Sequence, residues 1–213
     1  NAMPGLTNRL LAPVVDAAAV TFQETVRFFG SKAIVSGNPV RPEFFRGEEA
    51  HASDVLPPGA ARVLVFGGSQ GAHAINMAMV AAAPGMVAGV PGLEVVHQTG
   101  ERDLAAVREG YARGGVPARA EPFFDAVARE MNAADLVICR AGALTVAELA
   151  AAGVASVLVP FPYAVDDHQT GNARFLSEAG AAILLPQREL TPEKLAALLR
   201  ELTREKLAAM AEK

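Results

Sequence analysis

The sequence predicts an α/β protein with a doubly wound, parallel, Rossmann-like sheet. Short and continuously apolar runs alternate along the chain with segments in which apolar residues recur at helical spacing. Strands of this kind, separated by helices, are typical of parallel sheets that helices cover on both faces. In such a sheet the ligand is expected at the carboxyl ends of the strands.

The pattern predicts eight strands and seven helices. The strands are placed at residues 14–21, 33–36, 62–67, 93–97, 118–122, 135–139, 155–159 and 181–185. The helices are placed at residues 71–82, 101–113, 125–132, 144–152, 168–179, 192–200 and 203–212.

Composition excludes several classes of protein. The net charge is −4 and 20% of the 213 residues are charged, so the basic footprint of a nucleic-acid-binding protein is missing. No run of about 18 apolar residues, the length that spans a membrane, is free of Gly, Pro and charge. Cys139 is the single cysteine; it fits a reducing compartment and is interpreted as a small buried apolar residue.

Two polar, proline-containing segments divide the chain. SGNPVRPEFF (36–45) and SDVLPPGAA (53–61) separate the first two predicted strands from the other six. Two strands do not form a domain by themselves, so residues 3–36 are assigned to a partner domain and residues 37–213 to a second domain. The sequence ends inside a helical pattern with no stop signal, and we interpret it as a fragment cut at both ends. Asn1-Ala2 is interpreted as the remnant of a cleaved tag.

A glycine-rich turn, Gly67-Gly68-Ser69-Gln70-Gly71, lies between an apolar strand and a helix. Dinucleotide binding would require Gly-x-Gly-x-x-Gly and an acidic residue at the end of the next strand. The glycine spacing differs here, and that strand ends in His97-Gln98. Both departures count against a dinucleotide site.

Ester hydrolysis is a second interpretation of the same turn. Gly67, Ser69 and Gly71 match the Gly-x-Ser-x-Gly nucleophile elbow, and Asp135 and His168 follow in the order of a catalytic triad. The sequence has no His-Gly-Gly segment that would supply an oxyanion hole. A serine hydrolase is kept as the alternative function.

Phosphate binding is the third interpretation. Glycines let the backbone approach a ligand, and free N–H groups at a helix start attract anions. A second turn of this kind, CRAGALTVAELAAAG (139–153), also follows an apolar strand and has Gly142 before a helix. Two such turns at one edge of a sheet would hold two linked phosphates. Asp166, Asp167 and His168 are an alternative metal site, but adjacent loop residues rarely converge on one ion and no metal or other cofactor is expected.

Five segments, in this order, resemble the MurG family of N-acetylglucosaminyltransferases. They are GNPVR (37–41), GGSQGA (67–72), HQTG (97–100), CRAGALTVAEL (139–149) and VPFPYAVDDHQTGNA (159–173). The resemblance implies an inverting hexosyltransferase of two Rossmann-like domains, the GT-B arrangement. Such an enzyme transfers N-acetylglucosamine from UDP-N-acetylglucosamine to lipid I and forms lipid II in peptidoglycan synthesis. It also implies that this chain is the donor-binding C-terminal domain together with the last strands of the N-terminal one.

The resemblance further implies the roles of individual residues. Phe123 and Phe124 would flank uracil, and Glu148 would accept hydrogen bonds from the ribose hydroxyls. His168 and Gln169 would contact the sugar, with Asn172 supporting their loop. The diphosphate would be held by a larger set, with Arg41 and Arg140 supplying positive charge nearby: Ser69, Gln70, Gly71, Gly142, Leu144 and Thr145.

Two of these roles have structural alternatives. Thr145 and Glu148 also match a capping box, in which Glu148 would bond the start of its own helix. Phe123 and Phe124 would otherwise be core residues. In this family the general base and the lipid-acceptor loops belong to the N-terminal domain, so no catalytic residue is assigned here. Membrane contact is expected only through that domain, at the cytoplasmic face of the bacterial membrane, and no nucleic-acid partner is expected.

Overall fold

The computed structural model describes residues 3–45, 61–68, 72–164 and 167–213. The predicted strands are all present in that part of the chain. They are β1 (Ala18–Val20), β2 (Ala33–Val35), β3 (Arg62–Phe66), β4 (Glu94–Gln98), β5 (Ala118–Glu121), β6 (Leu136–Cys139), β7 (Ala155–Leu158) and β8 (Ala182–Leu184). The helices are α1 (Leu6–Leu11), α2 (His73–Gly89), α3 (Leu104–Gly114), α4 (Val127–Asn132), α5 (Ala143–Ala152), α6 (His168–Ala179), α7 (Pro192–Glu201) and α8 (Arg204–Ala211).

Six strands form one parallel sheet in the order β5-β4-β3-β6-β7-β8. The chain moves outward from β3 in one direction and then outward from β6 in the other, so the order reverses between these two neighbours. Phe66 and Cys139, the last residues of β3 and β6, are register partners. A reversal of this kind opens a crevice at the carboxyl edge, where ligands of doubly wound sheets bind. The predicted fold class is confirmed.

Helices cover both faces of this sheet because side chains of a strand alternate between its faces. On β3, Val63 and Val65 lie in a core with residues of α2, α3, α7 and α8. Leu64 and Phe66 lie in the opposite core with residues of α4, α5 and α6. Cys139 is in this second core and is fully buried, as predicted.

The first two strands form a separate parallel pair. β1 is shorter than the predicted strand 14–21, because the chain turns before it and leaves Val14 74% exposed. Helix α1 precedes this pair and was not predicted. The pair contacts the larger unit where the Phe22 ring meets the edge of Phe175, with ring centroids 5.4 Å apart.

Two helix boundaries depend on packing. α2 was predicted to end at residue 82, but it continues through Pro84 to Gly89 because Ala83 and Met86 are buried in the core. α3 begins three residues later than predicted, after a turn at residues 101–103. None of the helices described is both long and apolar enough to cross a membrane.

Candidate functional site

Two helices begin beside the crevice between β3 and β6. The first residue before α2 is Ala72 and the first before α5 is Gly142, and neither supplies a side-chain cap. The first N–H groups of a helix have no partner within it, and the helix dipole adds partial positive charge there. This edge of the sheet therefore favours an anion. Ser69, Gln70 and Gly71, which were predicted to bind it, lie outside the described residues.

Gln98 joins the turn after β3 to the turn after β5. Its Nε2 donates to the carbonyl of Gly68 at 3.1 Å, and its Oε1 accepts from the backbone N–H of Phe124 at 3.0 Å. Gly68 has a φ of +90°, a conformation that favours glycine. A buried amide thus fixes the start of the glycine-rich turn.

The start of α5 excludes the capping box. Gly142 is the N-cap, so Thr145 is already the third residue of the helix and Glu148 lies in its second turn. A capping box would require Thr145 at the N-cap position. That alternative for Glu148 is wrong, because the helix begins three residues earlier than it requires. Leu144, in the first turn, is 52% exposed.

Glu148 is half-buried on α5 and accepts no hydrogen bond from the described residues. Burial raises the pKa of its carboxyl group, and the positive charge of Arg41 partly opposes that rise. Arg41 itself pairs with Glu43 at 3.0 Å and lies over the ring of Phe44. Arg41 and Glu148, which were both predicted to contact the donor, are therefore close enough to interact electrostatically, although they are 107 positions apart in the sequence.

Arg140 braces the ends of β6 and β7. Its Nη1 donates to the carbonyls of Val159 and Pro160, both at 3.1 Å, and its Nη2 donates to Oε1 of Gln187 at 2.6 Å. Burial lowers the pKa of its guanidinium group. Within the described part of the chain it has no acidic partner. It therefore adds positive charge to this edge while it is held in place.

The two phenylalanines after β5 differ in exposure. Phe123 is 54% exposed, whereas Phe124 is 4% exposed and packs in the core that faces α4 and α5. The guanidinium of Arg119 covers the Phe124 ring at 4.8 Å. The core and Arg119 thus enclose the Phe124 ring, whereas the Phe123 ring is exposed, and the assignment of the pair to uracil stays a prediction. The core alternative, considered for both residues, describes the packing of Phe124 and not that of Phe123.

Helix α6 supports the turn after β6. Asn172 is fully buried, and its Nδ2 donates to the carbonyl of Ala141 at 3.0 Å. Gln169 accepts at Oε1 from the N–H of Phe161 at 2.9 Å. His168 is the first residue of the helix and is partly exposed. Asn172 and Gln169 thus hold the loops around the crevice, and among the described residues the amide nitrogen of Gln169 has no hydrogen-bond partner.

The serine hydrolase alternative is not supported. Asp135 precedes β6 and accepts at Oδ2 from the N–H of Arg62, the first residue of β3, at 2.7 Å. It lies at the amino edge of the sheet, and a strand of this length spans roughly 13 Å. Asp135 therefore cannot orient a histidine at the carboxyl edge, as a triad acid must.

The alternative metal site includes Asp166, which lies outside the described residues. The carboxylate of Asp167 accepts from the Thr170 hydroxyl at 2.7 Å. Among the residues that the structure describes, no three His, Cys, Asp or Glu side chains come together as metal ligands.

A buried polar network beneath the site was not predicted. Asn76 donates from Nδ2 to Asp103 and to the carbonyl of Thr99, so its Oδ1 accepts from Nε2 of His97. The Tyr111 hydroxyl then donates to Nδ1 of His97 at 2.8 Å. Burial lowers the pKa of His97 to about 3, so this ring stays neutral. Polar residues at the end of an apolar strand, here His97 and Gln98, are the sequence signal that could have indicated both this network and the Gln98 bridge.

Comparison with known proteins gives a consistent result. The model of the glycosyltransferase family 28 C-terminal domain matches residues 62–213. A curated relative from Syntrophus aciditrophicus is 48% identical over 199 residues, which are 92% of this chain and 54% of the relative. One from Dechloromonas aromatica is 48% identical over 213 residues, 100% of this chain and 59% of the relative. Both are named UDP-N-acetylglucosamine--N-acetylmuramyl-(pentapeptide) pyrophosphoryl-undecaprenol N-acetylglucosamine transferase.

A solved structure agrees with these relatives. The crystal structure of MurG from Acinetobacter baumannii superposes with a TM-score of 0.81 at 39% identity, covering 99% of this chain and 59% of that one. The resemblance noted from five sequence segments is confirmed. The chain spans a little over half the length of the curated relatives that it matches.

Proposed function

This chain belongs to glycosyltransferase family 28 through its C-terminal domain, and on that premise we propose that it binds the nucleotide of UDP-N-acetylglucosamine. The observation that carries the proposal is the pair of uncapped helix starts, at α2 and α5, on either side of the strand-order reversal. A diphosphate carries its charge over two linked groups, and two adjacent helix N-termini match that distribution.

The rest of the donor is assigned from the residues around this anion site. Glu148 lies in the second turn of α5, next to the proposed phosphate site at the start of this helix, and its carboxylate has no partner among the described residues. A carboxylate in this position can accept hydrogen bonds from the two adjacent ribose hydroxyls. The exposed ring of Phe123 offers an apolar surface for uracil. His168 and the amide nitrogen of Gln169, which has no partner among the described residues, are assigned to sugar hydroxyls.

The names of the relatives suggest the reaction of the whole protein. N-acetylglucosamine is transferred to a lipid-linked muramyl acceptor, lipid I, and UDP leaves. The chemical demand on this half is to stabilise the charge that develops on the departing diphosphate. Fixed helix N-termini and the positive charge of Arg140 meet that demand without reorganising during the reaction.

The domain assignment and location follow from the same premise. Residues 37–213 form the donor domain, and residues 3–36, with β1 and β2, belong to the acceptor domain. The enzyme works at the cytoplasmic face of the bacterial membrane, where its acceptor is anchored, and contacts the membrane through the acceptor domain.

Calorimetric titration tests the proposal. UDP-N-acetylglucosamine and UDP should bind with a Kd between about 1 μM and 1 mM, whereas GDP-sugars should bind at least about tenfold more weakly. A parallel titration with UDP-glucose, which lacks the acetamido group, measures how much this group contributes to the binding free energy. Equal affinity for uridine and guanosine nucleotides, or no binding of UDP at 1 mM, would contradict the proposed function.

A further inference from the structure

Gln98 is a buried polar residue at the end of β4 for which the proposed function has no role. Its exposed fraction is 3%. The two hydrogen bonds of its carboxamide run in opposite senses, since it donates to Gly68 and accepts from Phe124. One side chain thus connects the ends of three neighbouring strands, β3, β4 and β5.

The two turns that Gln98 connects serve different parts of the proposed donor site. Gly68 follows β3, and the next element along the chain is α2, whose start lies on the phosphate side. The Phe124 turn carries the exposed Phe123, on the nucleoside side. The Phe124 ring packs in the core that faces α4 and α5, the helices on the Glu148 side of the sheet. The preceding residue of β4, His97, contacts the opposite core through Tyr111.

The contact chemistry requires an amide. A carboxylate accepts hydrogen bonds but donates none, and an apolar side chain does neither. The amide donates to the carbonyl of Gly68 and accepts from the buried N–H of Phe124, and a buried N–H is costly to leave unpaired. Fixing the Gly68 carbonyl also fixes the direction in which the chain leaves β3.

We propose that Gln98 is a positioning residue that holds the phosphate-side and nucleoside-side turns at one relative spacing, so that the two halves of a nucleoside diphosphate are bound together. The inference rests on the proposed function and deepens it. It predicts that the advantage of UDP over uridine depends on the Gln98 amide, although Gln98 does not itself contact the ligand.

The variant Gln98→Glu tests this in the 213-residue chain. When ionised, the new carboxylate still accepts from Phe124 but presents an oxygen to the Gly68 carbonyl. When protonated, it is an isostere of the amide and donates again. Burial raises the pKa of a carboxyl group, so protonation falls within an accessible pH range. The affinities of UDP and uridine are measured from pH 5 to pH 8, and each affinity of the variant is divided by that of the parent chain at the same pH. Protonation of the ligand changes both affinities alike, so it does not affect the ratio.

At pH 8 the variant should bind UDP at least about tenfold more weakly than the parent chain, because a carboxylate oxygen then faces the Gly68 carbonyl in place of a donor, a loss on the scale of one hydrogen bond. At pH 5 the ratio should return to within about threefold, and uridine should change by less than about threefold throughout. Gln98→Asn, one methylene shorter, keeps both polarities but does not span both partners. This variant should weaken UDP binding equally at pH 5 and pH 8. It replaces Gln98→Glu in the test if the glutamate variant unfolds at pH 8.

His97→Gln is the matched control, because it alters the neighbouring residue of the same strand on the opposite face. It should lower the melting temperature and leave the ratio of UDP to uridine affinity unchanged. UDP affinity of both Gln98 variants equal to the parent chain would overturn the inference, as would equal weakening of UDP and uridine. If the parent chain itself binds no UDP, the proposed function fails and the inference fails with it.

Discussion

The amide of Asn172 on α6 donates to the carbonyl of Ala141, which lies in the turn between β6 and α5, at 3.0 Å. Both residues are fully buried. The bond joins helix α6, which begins at His168, to the turn that ends in Gly142, so it links the proposed sugar side of the site to the proposed phosphate side. Four predictions follow from this arrangement and from its neighbours.

Asn172→Ala should lower the free energy of unfolding by about 1–3 kcal/mol, because it leaves the Ala141 carbonyl buried without this donor. UDP binding should weaken as well, since Gly142 is no longer held. Urea unfolding followed by circular dichroism measures the first effect, and calorimetry the second. Thr170→Ala, at a partly exposed position of the same helix, should change stability by less than about 1 kcal/mol. A fully stable Asn172→Ala chain would contradict the role of this bond.

Glu148→Gln should weaken UDP binding by about 1.5–3 kcal/mol, the scale of a hydrogen bond to a charged group. Stability at pH 7 should not fall, because burial raises the pKa of Glu148 and its ionisation therefore opposes folding. The folded protein holds this proton more tightly than the unfolded chain does. Stability thus decreases as pH rises from the ordinary value of 4.5 through the raised one, and the variant should lack that decrease.

Glu178→Gln is the control for Glu148→Gln, because Glu178 lies at an exposed position near the end of α6. Its unfolding and its UDP titration are measured under the same conditions. That variant should bind UDP as the parent chain does. If Glu148→Gln kept full UDP affinity, the assignment of Glu148 to the ribose would be wrong.

His97→Gln should reduce stability at pH 7, because the Tyr111 hydroxyl loses the ring nitrogen that accepts from it. It should also flatten the pH dependence. The pKa of His97 is lowered from 6.5 to about 3, so between these values the unfolded chain binds more protons than the folded protein. Stability therefore falls as pH decreases from 6.5 towards 3, and the variant should lose this share of the fall. Urea unfolding at a series of pH values compares the two chains, and parallel curves would exclude a buried neutral His97.

UDP affinity should be the same with EDTA as with millimolar Mg²⁺ or Mn²⁺, because helix N-termini and Arg140 provide the positive charge. Calorimetric titrations in the three buffers test this. Loss of binding in EDTA with recovery on adding either cation would show that a metal ion is part of the site. UMP provides the control, since a cation that bridges two phosphates would favour UDP over UMP.

Local sequence pattern determined the alternation of strands and helices and the edge at which the site lies. Each strand of the large sheet is a short apolar run, and a run of this kind has to be buried on both faces wherever it lies in the fold. Glycine turns after β3 and β6 indicated an anion site for a related reason, since close approach and free N–H groups are properties of the local backbone. The five segments that resemble MurG identified the family, because together they extend over most of the chain.

Tertiary structure alone decided which neighbouring residue is buried and which partner each polar group has. Phe123 and Phe124 are chemically equal in sequence, and only the packing of α4 and Arg119 encloses the second of them. Arg140 meets a side chain 47 positions away, and Gln98 meets partners 30 and 26 positions away. The start of α5 at Gly142 likewise decided that Glu148 does not cap its helix. Periodicity reports the environment of one segment at a time, whereas hydrogen bonds between distant segments depend on how the strands are ordered in the sheet, and no local pattern contains that order.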